Sequence, residues 1–181
     1  FSFDSVHTSA AVFDPDKLSW LNEHYIKNTP PEELVPHLEP CLISNGVLQE
    51  GHGLGVAEIA KVIPSLNQRA KTLVEMAEKS AFYFKKEVEF DEKAKSKFLT
   101  AESKPLLEKT IAGLSQLENF SVEEIEELFK KVVEEEGVKL GKLAQPVRVA
   151  LTGTTVSPGI YDVILLLGKE ETLARLNQAL P

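Results

Sequence analysis

The sequence predicts an all-α fold, and three observations carry that prediction. Apolar residues recur at three- and four-residue spacing along most of the 181 residues. Segments of that spacing begin at Asp-Pro, Thr-Pro-Pro-Glu, Ser-Val-Glu-Glu or Ser-Pro and end at glycine, which are helix start and stop signals. The period-two alternation of a half-buried strand is absent, and no internal repeat stands out.

Taken in order, Asp14-Pro15 caps an amphipathic helix with Leu18, Leu21, Tyr25 and Ile26 on its face. Thr29-Pro30-Pro31-Glu32 has capping-box spacing ahead of Leu34, Val35, Leu38 and Leu42. Pro36 and Pro40 each remove a backbone donor there, so a kink or two short pieces are expected. Residues 44–55 carry four glycines and read as loop. Val56, Ile59, Ala60 and Ile63 mark a short helix stopped by Pro64. Ser65 is placed to cap the next, along Leu66, Ala70, Leu73 and Ala77. Phe82-Tyr83-Phe84 and the charged run 85–91 form a joint between two halves.

The second half opens at Ala94, Phe98 and Leu99, followed by a helix through Leu107, Ile111 and Leu114. Ser121-Val122-Glu123-Glu124 is a second capping box, with Phe120 and Ile125 spaced as its hydrophobic staple. That helix runs through Leu128, Phe129, Val132 and Val133, and Gly137 ends it. Leu140, Leu143, Ala144, Val147 and Leu151 hold helical spacing up to Gly153. Ser157-Pro158 caps a further helix through Leu167, Gly168 breaks it, and Leu173, Leu176 and Leu180 form the last.

Composition excludes several classes. No apolar run approaches the roughly 18 residues a membrane span needs, and residues 1–12 lack the basic start and apolar block of a leader peptide. The missing initiator methionine suggests a cut point at Phe1, with an upstream part absent. The single cysteine, Cys41, has no disulfide partner and no metal-ligand spacing, and reads as a small buried apolar residue in a reducing cytoplasm. The net charge of −8 has the wrong sign for a nucleic-acid binder, so its distribution matters more than its sum. Residues 61–104 carry a net of +3 and residues 137–181 a net of +2; residues 1–60 (−7) and 118–136 (−6) hold the acid. On charge alone, ordinary solvated helix faces account for this pattern.

Catalytic constellations are missing. His7, His24, His37 and His52 stand at no metal-ligand spacing, and there is no nucleophile elbow, Walker loop or paired-carboxylate motif. Gly51-His52-Gly53-Leu54-Gly55 lacks the preceding strand a phosphate loop requires and reads as a turn. Two other places are more specific. Arg69, one of only three arginines against 17 lysines, is expected near the start of a helix, flanked by Lys61 and Lys71. Its guanidinium can make paired hydrogen bonds to a base edge or phosphate, which an ammonium cannot, or it forms a surface ion pair. The other is the loop 153–159, with Arg148 one helical turn below it and Lys142 further back. Such a loop either binds splayed single-stranded bases or simply joins two core helices, and the residues alone leave both open.

These residues carry a resemblance. Lys139-Leu140-Gly141-Lys142-Leu143-Ala144-Gln145-Pro146-Val147-Arg148-Val149-Ala150-Leu151-Thr152-Gly153 closely resembles the C-terminal signature of bacterial-type glutamyl-tRNA synthetases. So does Val156-Ser157-Pro158-Gly159-Ile160-Tyr161-Asp162-Val163, with Leu166-Leu167-Gly168-Lys169-Glu170 after it. Phe13-Asp14-Pro15-Asp16-Lys17-Leu18, Trp20-Leu21-Asn22 and Tyr25-Ile26 are similar to the segment after that family's catalytic half, and residues 66–73 fit the region between. The resemblance is strongest over 139–173 and weakest over 29–60 and 85–120.

It implies a helical anticodon-binding cage of two subdomains, 31–82 and 83–181, preceded by the tail of a stem-contact region at 1–30. The parent enzyme would be a class I ligase joining glutamate to tRNA(Glu) with ATP and magnesium. Its nucleotide-binding motifs are not in this sequence, so no catalytic residue, metal ligand or cofactor is expected here. The implied partners are tRNA(Glu) and the catalytic half of the same chain, in a cytoplasmic monomer. The family's arginine for the first anticodon base falls on Arg69, where it would favour a pyrimidine and reject bulk. The arginine near the other two bases falls on Arg148, and the loop contacts fall on Ser157, Pro158 and Ile160. Family members can carry Thr and Leu at the positions of Ser157 and Ile160, which keeps the hydroxyl and the apolar contact. Lys61, Lys71 and Lys142 are candidates for phosphate contacts. The competing readings are a helical protein–protein scaffold without an RNA role, and a standalone enzyme using His24 or His52.

Overall fold

The computed structural model describes residues 14–181, all of it helix and connection with no strand among them. The expectations for residues 1–13 lie outside the described residues. The helices are α1 (Pro15–Asn28), α2 (Pro31–Ser44), α3 (Val56–Ala60), α4 (Ile63–Leu66), α5 (Leu73–Phe84), α6 (Glu92–Phe98), α7 (Lys104–Gln116), α8 (Val122–Glu136), α9 (Leu140–Thr152), α10 (Ile160–Leu167) and α11 (Lys169–Gln178).

Where local chemistry was strong, it decides the helix ends. The Asp14 carboxylate accepts the N–H groups of Asp16 and Lys17, and Ser121 Oγ accepts that of Glu124. Gly137 closes α8 in the left-handed region at φ 61°. Five expectations need correction. The segment around Pro36 and Pro40 is one 14-residue helix. Both prolines sit on its exposed face, so the carbonyls of Glu32 and Pro36 that lose a donor face water. Its start, at Pro30, has no side-chain cap, so the Thr29 capping box does not form. Pro64 does not stop a helix but occupies the first turn of α4, where backbone N–H groups have no intrahelical partner to lose. Ser65 is not a cap: its hydroxyl donates to Val62 C=O at 2.7 Å, and Thr72 caps α5 instead. Cys41 is half-buried rather than buried.

Two apolar cores form. The first unites α2 to α5 through Leu38, Leu42, Ile59, Ile63, Leu66 and Met76. The second unites α7 to α11 through Leu107, Leu114, Ile125, Phe129, Leu143, Leu151 and Val163. Tyr83 packs against both, and Phe82 against the second. His52 pins the glycine-rich loop: its Nδ1 accepts the Leu54 N–H and its Nε2 lies 3.0 Å from the Glu39 carboxylate. That arrangement ties the loop to α2.

Past the joint, residues 88–91 run against the end of α9. Asp91 N–H donates to Gly153 C=O at 2.9 Å. Gly153 has φ 76°, and a Cβ there would overlap the Glu89 carbonyl, lying 2.8 Å from its carbon. Both backbone conformation and space therefore require glycine. Gly153→Ala is expected to cost at least about 2 kcal/mol of unfolding free energy, because strain and a backbone clash add. Urea unfolding checks this, and a loss under about 0.5 kcal/mol would show that the strand-like contact yields easily.

Candidate nucleic-acid interface

A cleft of about 670 Å³ opens between the two cores. One wall comes from the α4–α5 turn and α5, with Arg69, Lys79 and Phe82. The floor is the joint, from Lys85 to Glu89. The opposite wall is the loop after α9, with Thr152, Thr154, Val156, Ser157 and Pro158.

Each wall is fixed by its backbone. Arg69 lies in a turn rather than at a helix start. Its N–H donates to Leu66 C=O at 2.8 Å, and its own carbonyl accepts the Lys79 ammonium. Behind the far wall, Arg148 reaches up one turn from α9. Its Nη1 donates to Pro158 C=O at 2.8 Å, to Ser157 C=O at 3.2 Å and to Ser157 Oγ. Ser157 is therefore not the cap of α10, whose N-cap is Gly159 without any side-chain bond. The leading N–H groups of α10 stay available to an acceptor.

The electrostatics of the cleft centre on the two guanidiniums. Burial, and then the charge of Arg69 nearby, lower the pKa of Arg148. Two like charges are thus held within electrostatic reach, and neither makes an ion pair among the described residues, whereas Lys79 and Lys85 are paired with Glu75 and Glu89. Arg148 Nε is buried with no partner, so only one terminal nitrogen of the fork is engaged. Tyr83, behind Arg69, is pushed up to about 12 by burial, against the lowering effect of its bond with Ser65. Arg69, Lys79 and Lys85 share the cleft lining with Glu78, Glu87 and Glu89, and the guanidinium of Arg69, unpaired among the described residues, offers planar donors to a planar guest. Val156 offers it an apolar edge, being 76% exposed at the lip.

The structure brings Arg69, Arg148, Ser157 and Pro158 to one place. It does not bring Ile160 there, since that side chain is buried in the second core and only its backbone faces the loop end. Lys61 and Lys71 are exposed but line no part of the cleft, and Lys142 lines a separate hollow. Val156 and Lys79 are cleft residues that the sequence analysis missed. A valine between the polar residues Thr155 and Ser157 was the available signal for the first. The second carried none. No group of three His, Cys, Asp or Glu gathers among the described residues. No described helix is long and apolar enough to cross a membrane.

A helical cleft with paired arginines and an open loop defines a class, and the comparisons give it a family. The chain belongs to the anticodon binding domain family, which matches residues 32–180. More particularly, it is 47% identical over 180 residues to the glutamate–tRNA ligases of Syntrophobacter fumaroxidans and Geotalea uraniireducens. Those alignments take in 99% of this chain and 38% of each relative, so the chain spans well under half their length. Among solved structures, a glutamate tRNA ligase from Elizabethkingia meningosepticum, in complex with its amino acid, superposes with a TM-score of 0.82 at 28% identity. It covers 99% of this chain and 34% of that one. The glutamate-tRNA synthetase of Elizabethkingia anophelis gives 0.78 at 30%, with the same coverage.

Proposed function

We propose that this chain reads the anticodon of tRNA(Glu) on behalf of a glutamate–tRNA ligase, and has no chemistry of its own. The observation that carries this is Arg69 on one wall of the cleft and Arg148 behind the other, where it holds the Ser157 and Pro158 carbonyls, with neither arginine paired to a carboxylate among the described residues. In this reading Arg69 contacts the first anticodon base. Arg148, Ser157, Pro158 and the start of α10 at Ile160 serve the second and third. The two cores correspond to two subdomains, 31–82 and 83–181. ATP and magnesium act in the catalytic half of the parent enzyme, a cytoplasmic monomer.

The exposed face of α1 supports a protein neighbour for that half. Trp20 and Tyr25 are 66% and 61% exposed on a helix that buries only Ile26. Such a face is what a contact with the catalytic half would cover, in the manner of a tail of the stem-contact region. It also favours, more weakly, the reading as a protein–protein scaffold.

The test is a gel-shift titration with Arg69→Gln and tRNAs altered at the first or third anticodon base. Glutamine keeps a donor but loses the charged fork, so binding to the matched tRNA is expected to weaken roughly tenfold, with relaxed discrimination at the first base. Unchanged binding to every variant tRNA would sink the assignment of Arg69.

A further inference from the structure

We infer that the phosphate backbone of the bound RNA continues out of the cleft along a lysine-lined groove between α6 and α9. This rests on the anticodon-reading proposal and extends it to a surface beyond the cleft. Two hollows lie in line there, of about 460 and 620 Å³. Lys97 and Phe98 line both, so the hollows adjoin. Thr155 lines the nearer one and is the chain neighbour of Thr154 and Val156 in the cleft wall. The ridge between cleft and groove is therefore only the loop after Gly153 and the segment it is bonded to at Asp91.

Four exposed lysines edge this path: Lys93, Lys97, Lys139 and Lys142. None of them makes an ion pair among the described residues, while Lys27, Lys79, Lys85, Lys109 and Lys130 each hold a glutamate. Two acids share the lining, Asp91 and Glu102. The Asp91 carboxylate is already spent on the N–H groups of Lys93 and Ala94, at 2.8 and 3.0 Å. Lys97 Nζ rests 5.2 Å from the centre of the Phe98 ring, which keeps its stem over the groove. The glutamate-rich helix α8 contributes to neither hollow. In a chain of net charge −8, a continuous row of unpaired ammoniums that begins at the cleft's exit has the charge, shape and position of a phosphate track. Point-charge lysines suit phosphates, which position an RNA without reading it.

The experiment compares this chain with its Lys93→Gln/Lys97→Gln/Lys142→Gln variant. Both are titrated with tRNA carrying the glutamate anticodon and with an anticodon-swapped copy, across a salt series of about 50–300 mM. The variant is expected to bind both RNAs about tenfold more weakly near 0.1 M salt, with a salt-dependence slope shallower by about two to three. The ratio between matched and swapped RNA is expected to stay unchanged, as is binding by a Lys130→Gln/Lys131→Gln control on α8. An unaltered slope and affinity in the triple variant, with the wild-type protein still discriminating, would overturn the track and leave anticodon reading standing. Absence of RNA binding by the wild-type chain would overturn both.

Discussion

Arg175→Met is expected to lower the unfolding free energy by about 3–5 kcal/mol, because it removes a buried guanidinium that satisfies three carbonyls at once. Arg175 is 4% exposed. Its Nη1 donates to the carbonyls of Phe82 and Leu151, and its Nη2 to that of Lys85, all at 2.8 Å. Nε meets Glu171 at 2.6 Å. One side chain thus satisfies the end of α5, the joint and the end of α9, where the two cores meet. Methionine fills similar space and leaves three carbonyls without donors. Lysine, a single ammonium, cannot span them, so Arg175→Lys is expected to recover only part of the loss. Urea unfolding measures both, and a methionine variant within about 1 kcal/mol of wild type would refute the latch.

The second large effect concerns binding. Arg148→Ala is expected to weaken binding of matched tRNA by about ten- to a hundredfold, as loss of a base-reading arginine contact does. It should also compress the gap between matched and mismatched anticodons. Two things are lost together: the unengaged donors of the fork, and the bonds that hold the Ser157 and Pro158 carbonyls in place. Arg148→Lys is expected to keep charge without restoring discrimination, since an ammonium cannot hold the loop and face a base edge at once. A gel shift against both RNAs decides it. Equal discrimination in the alanine variant would remove Arg148 from the reading site. Unfolding of the same variant should show a smaller loss, about 1–2 kcal/mol, for the orphaned carbonyls.

Much of the helical pattern was legible because helix ends are local chemistry. Asp14, Ser121, Gly137 and Gly153 act on groups within four residues of themselves, so their roles are written in the nearby sequence. The errors fell where the same residue type has two outcomes. Proline at 36, 40 and 64 breaks a helix only if the lost donor or its carbonyl matters, and exposure or a first-turn position removes that penalty. Ser65 satisfied the local rule for a cap, but Leu66 and Ala70 pack into the first core ahead of α5, and Thr72 caps that helix.

The site divides in the same way. Scarcity of arginine pointed to Arg69 and the loop between two helix ends to Arg148, and the resemblance gave them roles. The third arginine stayed hidden, because Glu171 and Arg175 look like an ordinary surface pair one turn apart. By itself the sequence determined the all-helical fold, most helix ends, the joint after α5 and the two arginines suited to planar recognition. Only the tertiary structure decided that Arg69 lines a cleft whose opposite wall Arg148 holds from behind, and that Ser157 serves Arg148 rather than a helix end. It also decided that Arg175 ties the halves together and that the unpaired lysines of α6 and α9 line one groove. Each of these depends on contacts between residues far apart along the chain, which periodicity and caps do not encode.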